Sequence, residues 1–459
     1  MKKHFYSINV IIAFMCVLIC FISIGFQGCT KPSGDQKKVV RVWETELDLS
    51  ARKVFDEIIR DYENEHPEVR IEHEAISWNA LSKKITTALS TGDVPDIVHL
   101  QPFMFASLYK KGLLTSIDEV IKAIGEEDIY DSIKYLQFFD GHYYGIAYAI
   151  GTTYFGYRKD LAERKGLEVP KTWDEFIDFI KTLTEDFDGD GNIDFYGVIL
   201  PGGSPFFVDQ LTAELVASNG GRLFDSNGKP TFIEKQVIET LAFWQEICKY
   251  APPDWTSEGY VDQFRSFAMG KGATVPVTYA RASKQIDKDA PKGRNNPDYY
   301  AVMQQPVGPS GKKSFATIDC EAWAIFASSE VVDEAKDFLI YFYNKDNYLR
   351  YTSQVPIHLT PILRSVAESN AYVENDFVKK WKPWQETSSA MINEKRVHPI
   401  MLTEEDDNTL PFLMELQGAR IITDMVMAVT IEGKSPETAA DEAQKRAEEF
   451  LARMGYKTW

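Results

Sequence analysis

Between Val39 and Leu100 the hydrophobic period of the chain changes four times, and that alternation limits the fold to few architectures. Val39-Val40-Arg41-Val42-Trp43 is a short β-rich run. Residues 50–65 then place Val54, Phe55, Ile58, Ile59 and Tyr62 on one helical face. Val69 to Ile76 alternates apolar and polar residues as a strand does. Trp78 to Ser90 is helical again until Thr91-Gly92-Asp93 stops it with turn chemistry. Asp96-Ile97-Val98-His99-Leu100 is a buried-type strand that breaks at Gln101-Pro102. This order predicts an α/β fold with a parallel sheet covered by helices, in which ligands gather at the carboxyl ends of strands.

A second block begins after Gly145-Ile146-Ala147-Tyr148. Thr172-Trp173-Asp174-Glu175 is a capping-box pattern opening a helix through Phe176, Ile177, Ile180 and Leu183. Further helices are predicted over 207–218 and 233–250. Ser435-Pro436 starts a closing helix whose inner face is Ala439, Ala443, Ala447, Phe450 and Leu451. No repeat or low-complexity linker interrupts 38–459, which predicts one compact, multi-lobed body.

The first residues carry a separate signal. Met1-Lys2-Lys3 precedes an uncharged stretch from Phe5 to Phe26, and then comes Gly28-Cys29. A positive start, an apolar core and a small residue at the boundary mark a secretory signal over 1–28. Gly28-Cys29 resembles a bacterial lipobox, so Cys29 is the predicted site of acylation, palmitate included, with 29–37 as a flexible tether. Phe26 and Gln27 depart from the usual Leu and Ala or Ser, and bulky residues precede Cys16 and Cys20. An uncleaved spanning helix is the alternative, because the stretch is long enough to cross a bilayer. Either way the body is expected on the periplasmic or exterior side, tethered to a membrane. Removing 1–28 leaves 431 residues and takes the formal charge from −18 to −20. Such acidity disfavours nucleic acid and anionic membrane surfaces. Beyond Cys29 only Cys248 and Cys320 remain, as a disulfide in an oxidising compartment or as two separate buried thiols.

Several stretches resemble the bacterial extracellular solute-binding proteins of the maltodextrin and multiple-sugar class, the receptors of ABC importers. They are Trp43 at the end of the first strand, Gly92-Asp93-Val94-Pro95-Asp96-Ile97-Val98, Leu108, Lys111-Gly112-Leu113-Leu114 and Ile117-Asp118. Tyr144-Gly145-Ile146, Tyr157-Arg158-Lys159-Asp160-Leu161 and Pro170 to Glu175 follow in order. Then come Gly220-Gly221, Phe267 with Gly270-Lys271-Gly272-Ala273, Pro306-Val307-Gly308-Pro309, and Ala322-Trp323-Ala324-Ile325 with Ala335. The resemblance implies two α/β lobes of the periplasmic-binding-protein type, joined by hinge crossovers with a ligand cleft between them. Lobe one would be 38–148 and 305–353, and lobe two 149–304 and 354–459, with crossings near Tyr148, Gln304 and Gln354. It also implies a monomeric, non-enzymatic receptor that hands a sugar or oligosaccharide to membrane permease subunits.

A sugar receptor stacks aromatic rings on pyranose faces and offers fixed polar groups to hydroxyls. Residues at strand ends are the candidates: Glu44, Glu46, Gln101, Phe103, Tyr148, Thr152, Tyr154, Phe206, Phe207, Tyr279 and Arg281. The resemblance implies a stacking Trp near Tyr279 and Arg281, and that Trp is absent here. Trp43 and Trp173 read as structural, and His99 as a packed or cleft residue. Asp186, Asp188, Asp190, Asn192 and Asp194, with Gly191 at the sixth position, match the opening of an EF-hand-type loop and predict a structural calcium ion. The twelfth position is Gly197 rather than Glu, and a solvated acidic turn is the alternative reading. No His-Glu-x-x-His, Cys-x-x-Cys or Gly-x-Ser-x-Gly occurs, and Gly308 to Ser314 is spaced wrongly for a phosphate loop. Two other functions stay open: an exported glycoside hydrolase, and a receptor for a non-sugar solute such as a polyamine. The latter would show cleft acids without a clustered Arg/Lys set.

If the lipobox reading holds, mass spectrometry of the purified protein finds a mature N-terminus at an acylated Cys29, and Cys29→Ser leaves the signal unprocessed by that route. An intact Met1, or a free Cys29 after cleavage elsewhere, refutes it.

Overall fold

The computed structural model describes residues 37–398 and 410–456; the apolar stretch, Gly28 and Cys29 lie outside them. Among the described residues no helix is long and apolar enough to cross a membrane. Among the described residues the strands, in chain order, are β1 (Lys38–Glu44), β2 (Val69–Ala75), β3 (Ile97–Leu100), β4 (Phe138–Phe139), β5 (His142–Tyr143), β6 (Gly145–Ala147), β7 (Gly151–Thr152), β8 (Tyr154–Arg158), β9 (Tyr196–Val198), β10 (Gly272–Thr278), β11 (Tyr300–Met303), β12 (Ala316–Asp319), β13 (Ala322–Ile325) and β14 (Val397–His398).

Two main sheets organise two lobes. The first has the order β2-β1-β3-β13-β6 and the second β11-β8-β10-β9. In the first sheet β1 and β3 are parallel, as the strand–helix–strand order requires, with Val42 opposite Ile97. The expectation of a wholly parallel sheet fails beyond that point, because β13 runs antiparallel to both β3 and β6. The reason is topological. β13 enters only after the chain has visited the second sheet, and it comes back from the opposite direction. The second sheet is mixed as well: β8 is antiparallel to β10 and β11, and β10 is parallel to β9.

The passages between sheets pair with each other. The chain leaves β6 through β7 to reach β8, and returns from β11 through β12 to β13; β7 and β12 are antiparallel neighbours, with β14 parallel on the other side of β12. One buried carboxylate joins these passages to the second lobe. Glu214, on the helix Pro205–Ser218, accepts hydrogen bonds from Thr153 Oγ1 at 2.6 Å, Gln305 Nε2 at 2.9 Å and the Thr317 N–H at 3.3 Å. Burial pushes its carboxyl above the ordinary value, and these three donors work in the other direction.

Local signals set the helix ends. Asp48 accepts from the Ser50 and Ala51 N–H groups and starts the helix Leu49–Glu65. Thr172 and Glu175 close the capping box of Trp173–Leu183, and Ser435 caps Pro436–Arg453. The helix Trp78–Thr91 stops at Gly92, whose φ of 75° is the left-handed conformation glycine adopts without cost. The closing helix buries Ala439, Ala443, Ala447 and Leu451 as its period requires, with Phe450 only partly covered. Trp43 and Trp173 are packing residues: Lys84 Nζ lies 4.2 Å from the Trp43 ring centroid, and Trp173 stacks on Phe243 with centroids 4.4 Å apart.

The cores are not two sealed halves. Phe103, Phe105 and Leu108 of the first lobe belong to the same apolar cluster as Phe206, Leu211 and Trp244 of the second, and Leu413 and Leu416 join them. Neither Cys248 nor Cys320 forms a disulfide among the described residues. Cys320 sits in the first-lobe core, while burial beside the second raises the Cys248 thiol to about 12.

Candidate ligand-binding cleft

A cavity of about 600 Å³ opens at the carboxyl ends of β1 and β2, facing the segment after β10. Four predicted residues line it: Glu46, Tyr148, Phe207 and Arg281. Glu46 lies just past β1 and is buried. Its carboxylate accepts from the Arg281 guanidinium and, at 2.6 Å, from the Asp48 N–H. Burial acts against the charge on Arg281, but the neighbouring Glu46 carboxylate outweighs it and holds the guanidinium protonated. Two residues on, Lys284 Nζ stands 2.8 Å from Asp48 Oδ2. Burial would raise the Asp48 carboxyl, yet the hydrogen bonds from Lys284 and Ser50 bring it down to about 2.

Aromatic rings form the remaining walls. Phe207 stacks on Tyr260 with centroids 4.2 Å apart and planes within 5°. Trp78 stacks on Phe206 at 5.9 Å, and Ser204 Oγ donates to Asn79 Oδ1 at 3.0 Å. Tyr148 contacts the His99 ring edge-on at 4.2 Å. Burial holds His99 and His358 neutral, so the 3.3 Å approach of His99 Nε2 to Glu321 is no ion pair. His99 Nδ1 is shared with Thr45 Oγ1 at 2.6 Å.

The other predicted residues do not line this cavity. Glu44 points into the first lobe, where it meets His73 Nε2 at 2.9 Å and accepts from the Tyr351 hydroxyl. Gln101 stands one residue behind the wall, donating at 3.0 Å to Glu321, which does line it. Phe103 and Phe206 are packed in the apolar cluster shared by the lobes. Thr152 hydrogen-bonds Ser388 Oγ at 3.1 Å, and Tyr154 is fully buried against Trp384. Tyr279 is buried behind Phe207 and Tyr260, where Gln210 donates to its hydroxyl. The carboxyl-end rule stops at residues pointing along the strand axis, and alternate side chains turn into the core instead.

Sequence reasoning missed Asp48, Trp78, Asn79, Ser204, Tyr260, Lys284, Glu321 and His358. Trp78 was findable, since Ser77-Trp78 follows β2 as Gln101 follows β3. Tyr260 and His358 come from distant segments with no local mark.

The acidic loop stands apart from the cleft. Asp186, Asp188 and Asp194 bring one carboxylate oxygen each within 4.8 Å of one another. Asp190 does not join them: its two oxygens take the Asn192 N–H at 2.8 Å and Nδ2 at 2.9 Å. The Gly191 N–H, ahead of other donors, holds the Asp186 carboxyl below its usual range. Three hard oxygens from alternating positions suit a calcium ion, with further ligands from backbone or water.

Residues 45–348 match the family of bacterial extracellular solute-binding proteins, and the chain belongs to it. The mannitol-binding protein of Pseudomonas aeruginosa is 24% identical over 337 residues, 72% of each chain. A solved solute-binding protein of an ABC transporter from Agrobacterium radiobacter K84, in complex with ribitol, superposes with a TM-score of 0.74 at 19% identity, covering 90% of this chain and 98% of its own. Maltose-bound MalE3 of T. maritima superposes at 0.72 with 18% identity, over 90% of this chain and 100% of its own. The fold is therefore that of a two-lobed solute receptor.

His73 gives the wall behind the cleft a pH dependence. Burial opposes its charge, but Glu44 and Asp56 outweigh it and raise its pKa. A raised folded-state value contributes stability in full below about 6.5 and loses it as pH rises through that value. Melting temperatures scanned from acid to mildly alkaline pH should fall more steeply for the wild type than for His73→Gln. Parallel curves would show that folding leaves the protonation of His73 unchanged.

Proposed function

We propose that this protein is a lipid-anchored extracytoplasmic receptor that binds a neutral sugar, polyol or oligosaccharide unaltered and delivers it to the permease subunits of an ABC importer. The observation that carries the reading is the charge balance of the cleft. Its wall includes Glu46, Asp48, Asp262 and Glu321, against Arg265, Arg281, Lys284 and Lys288, although the chain as a whole has a net charge of −18. Equal numbers of acids and bases supply acceptors and donors side by side, the chemistry a row of hydroxyls needs. Trp78, Tyr148, Phe207 and Tyr260 supply apolar faces between them. A polyamine would favour acids without this cluster of Arg and Lys. The mannitol, ribitol and maltose named for the related proteins above belong to the same chemical class.

The reading without catalysis rests on the same side chains. A glycosidic acid needs a raised pKa, and Asp48 sits at about 2 while Glu46 is engaged by Arg281. Attachment through acylated Cys29 and a monomeric state complete the proposal.

A thermal-shift screen against polyols and oligosaccharides, followed by calorimetry, should find at least one ligand that raises the melting temperature and is recovered intact. Phe207→Ala should weaken its binding about tenfold or more. Turnover products would make the protein a hydrolase, and tight polyamine binding with indifference to sugars would make it the other receptor class.

We also propose a structural calcium ion held by Asp186, Asp188 and Asp194. Chelation should lower the melting temperature, and Asp188→Ala should remove that sensitivity while leaving ligand affinity nearly unchanged. Absence of both heat and stabilisation at millimolar calcium returns the segment to a solvated turn.

A further inference from the structure

We infer that Lys284 is a positioning residue that latches the two lobes together, acting through Asp48 and independently of any ligand. Lys284 belongs to the helix Arg281–Asp289, which follows β10 of the second sheet. Its ammonium reaches two other segments. Asp48 Oδ2 and Ser50 Oγ, both 2.8 Å away, follow β1 of the first sheet; the Gln354 carbonyl, also at 2.8 Å, follows the helix Lys345–Thr352. Those three acceptors use all three ammonium protons, so a single side chain of the second lobe is fastened both to the loop after β1 and to the segment that follows the helix Lys345–Thr352.

The partner is equally committed. Asp48 Oδ1 caps the helix Leu49–Glu65 through the Ser50 and Ala51 N–H groups, leaving Oδ2 for Lys284. The cap fixes the carboxylate before the lobes meet, so little side-chain freedom is lost when the pair forms. Both side chains are largely shielded, 27% and 19% exposed, which sets the pair apart from a solvated surface bridge. One turn earlier on the same helix, Arg281 makes the parallel contact to Glu46. The helix thus presents two cations, three residues apart, to two acids on one short loop. Ser204 and Asn79, which also line the cleft, join the lobes without charge. Of these cleft contacts, the charged ones are those that salt and substitution can release.

Hydrogen exchange on the ligand-free full-length protein tests this without knowledge of the ligand, so its failure leaves the saccharide reading untouched. Lys284→Met keeps the aliphatic stem, and Asp48→Asn keeps the cap, since Asn caps as well as Asp. Each should speed exchange about tenfold in the 45–50 loop and, at a distance, in the segment 204–207 across the cleft. The double variant should add little to either single one, and Lys284→Arg should restore most of the protection. High salt should reproduce part of the effect in the wild type. Faster exchange confined to neighbours of the substituted residue, additive effects of the two substitutions, or no change in either segment would each overturn the latch. Unchanged melting temperatures separate lobe opening from unfolding, and if one variant fails to fold, the other still decides.

Discussion

Glu214 is a carboxyl group buried where both strand passages between the lobes meet, with no cation beside it among the described residues. A hydroxyl, an amide and a backbone N–H from those passages point at its oxygens, and Gln210 Nε2 of its own helix adds a fourth donor at 3.4 Å. Removing any one donor leaves a buried polar oxygen short of a partner, so the passages are held in one register relative to the helix Pro205–Ser218. That helix also carries Phe206 and Phe207 at its start, and Ser204 just before it. The same element that anchors the passages therefore places one wall of the cleft. The position of the second lobe's aromatics and the path of the crossovers are a single constraint.

The opposite wall follows from β1. Glu44, Glu46 and Asp48 are two residues apart and would share one face of a continuing strand, but β1 ends at Glu44 and the chain leaves the sheet there: Glu44 stays in the lobe to meet His73 and Tyr351, while Glu46 and Asp48 line the cleft. The inner member of the series stiffens the loop that presents the outer two. Arg281 and Lys284 then meet these acids from the second lobe, which makes the cleft polar at one edge and aromatic at the other. A neutral polyhydroxylated ligand fits such a wall better than an ion of either sign.

The limits of sequence reading are visible residue by residue. The capping residues Thr172 and Ser435, the stop at Gly92 and the buried face of Ala439, Ala443, Ala447 and Leu451 were all legible, because each depends on neighbours within two helical turns. Among the cleft candidates, Glu46, Tyr148, Phe207 and Arg281 line the cavity, whereas Phe103, Tyr154 and Tyr279 are packed behind or away from it. Nearness to a strand end located the right region. It could not tell which way a side chain turns, since that is set by the partner element: Trp384 takes Tyr154, and Gln210 takes Tyr279.

By itself the sequence determined the element order between Val39 and Leu100, the starts of the helices capped by Thr172 and Ser435, and membership of a two-lobed receptor class, because periodicity, capping and ordered motifs are short-range properties. The direction of β13, the shared apolar cluster of the lobes and the identity of most cleft residues were decided only by tertiary structure. Lys284 illustrates why. Its partners Asp48 and Gln354 stand hundreds and tens of positions away, and no local pattern distinguishes it from the exposed Lys288 on the same helix. Long-range pairing arises when the chain returns to a sheet it has left, and the strand passages that enforce the return fix which distant side chains can meet.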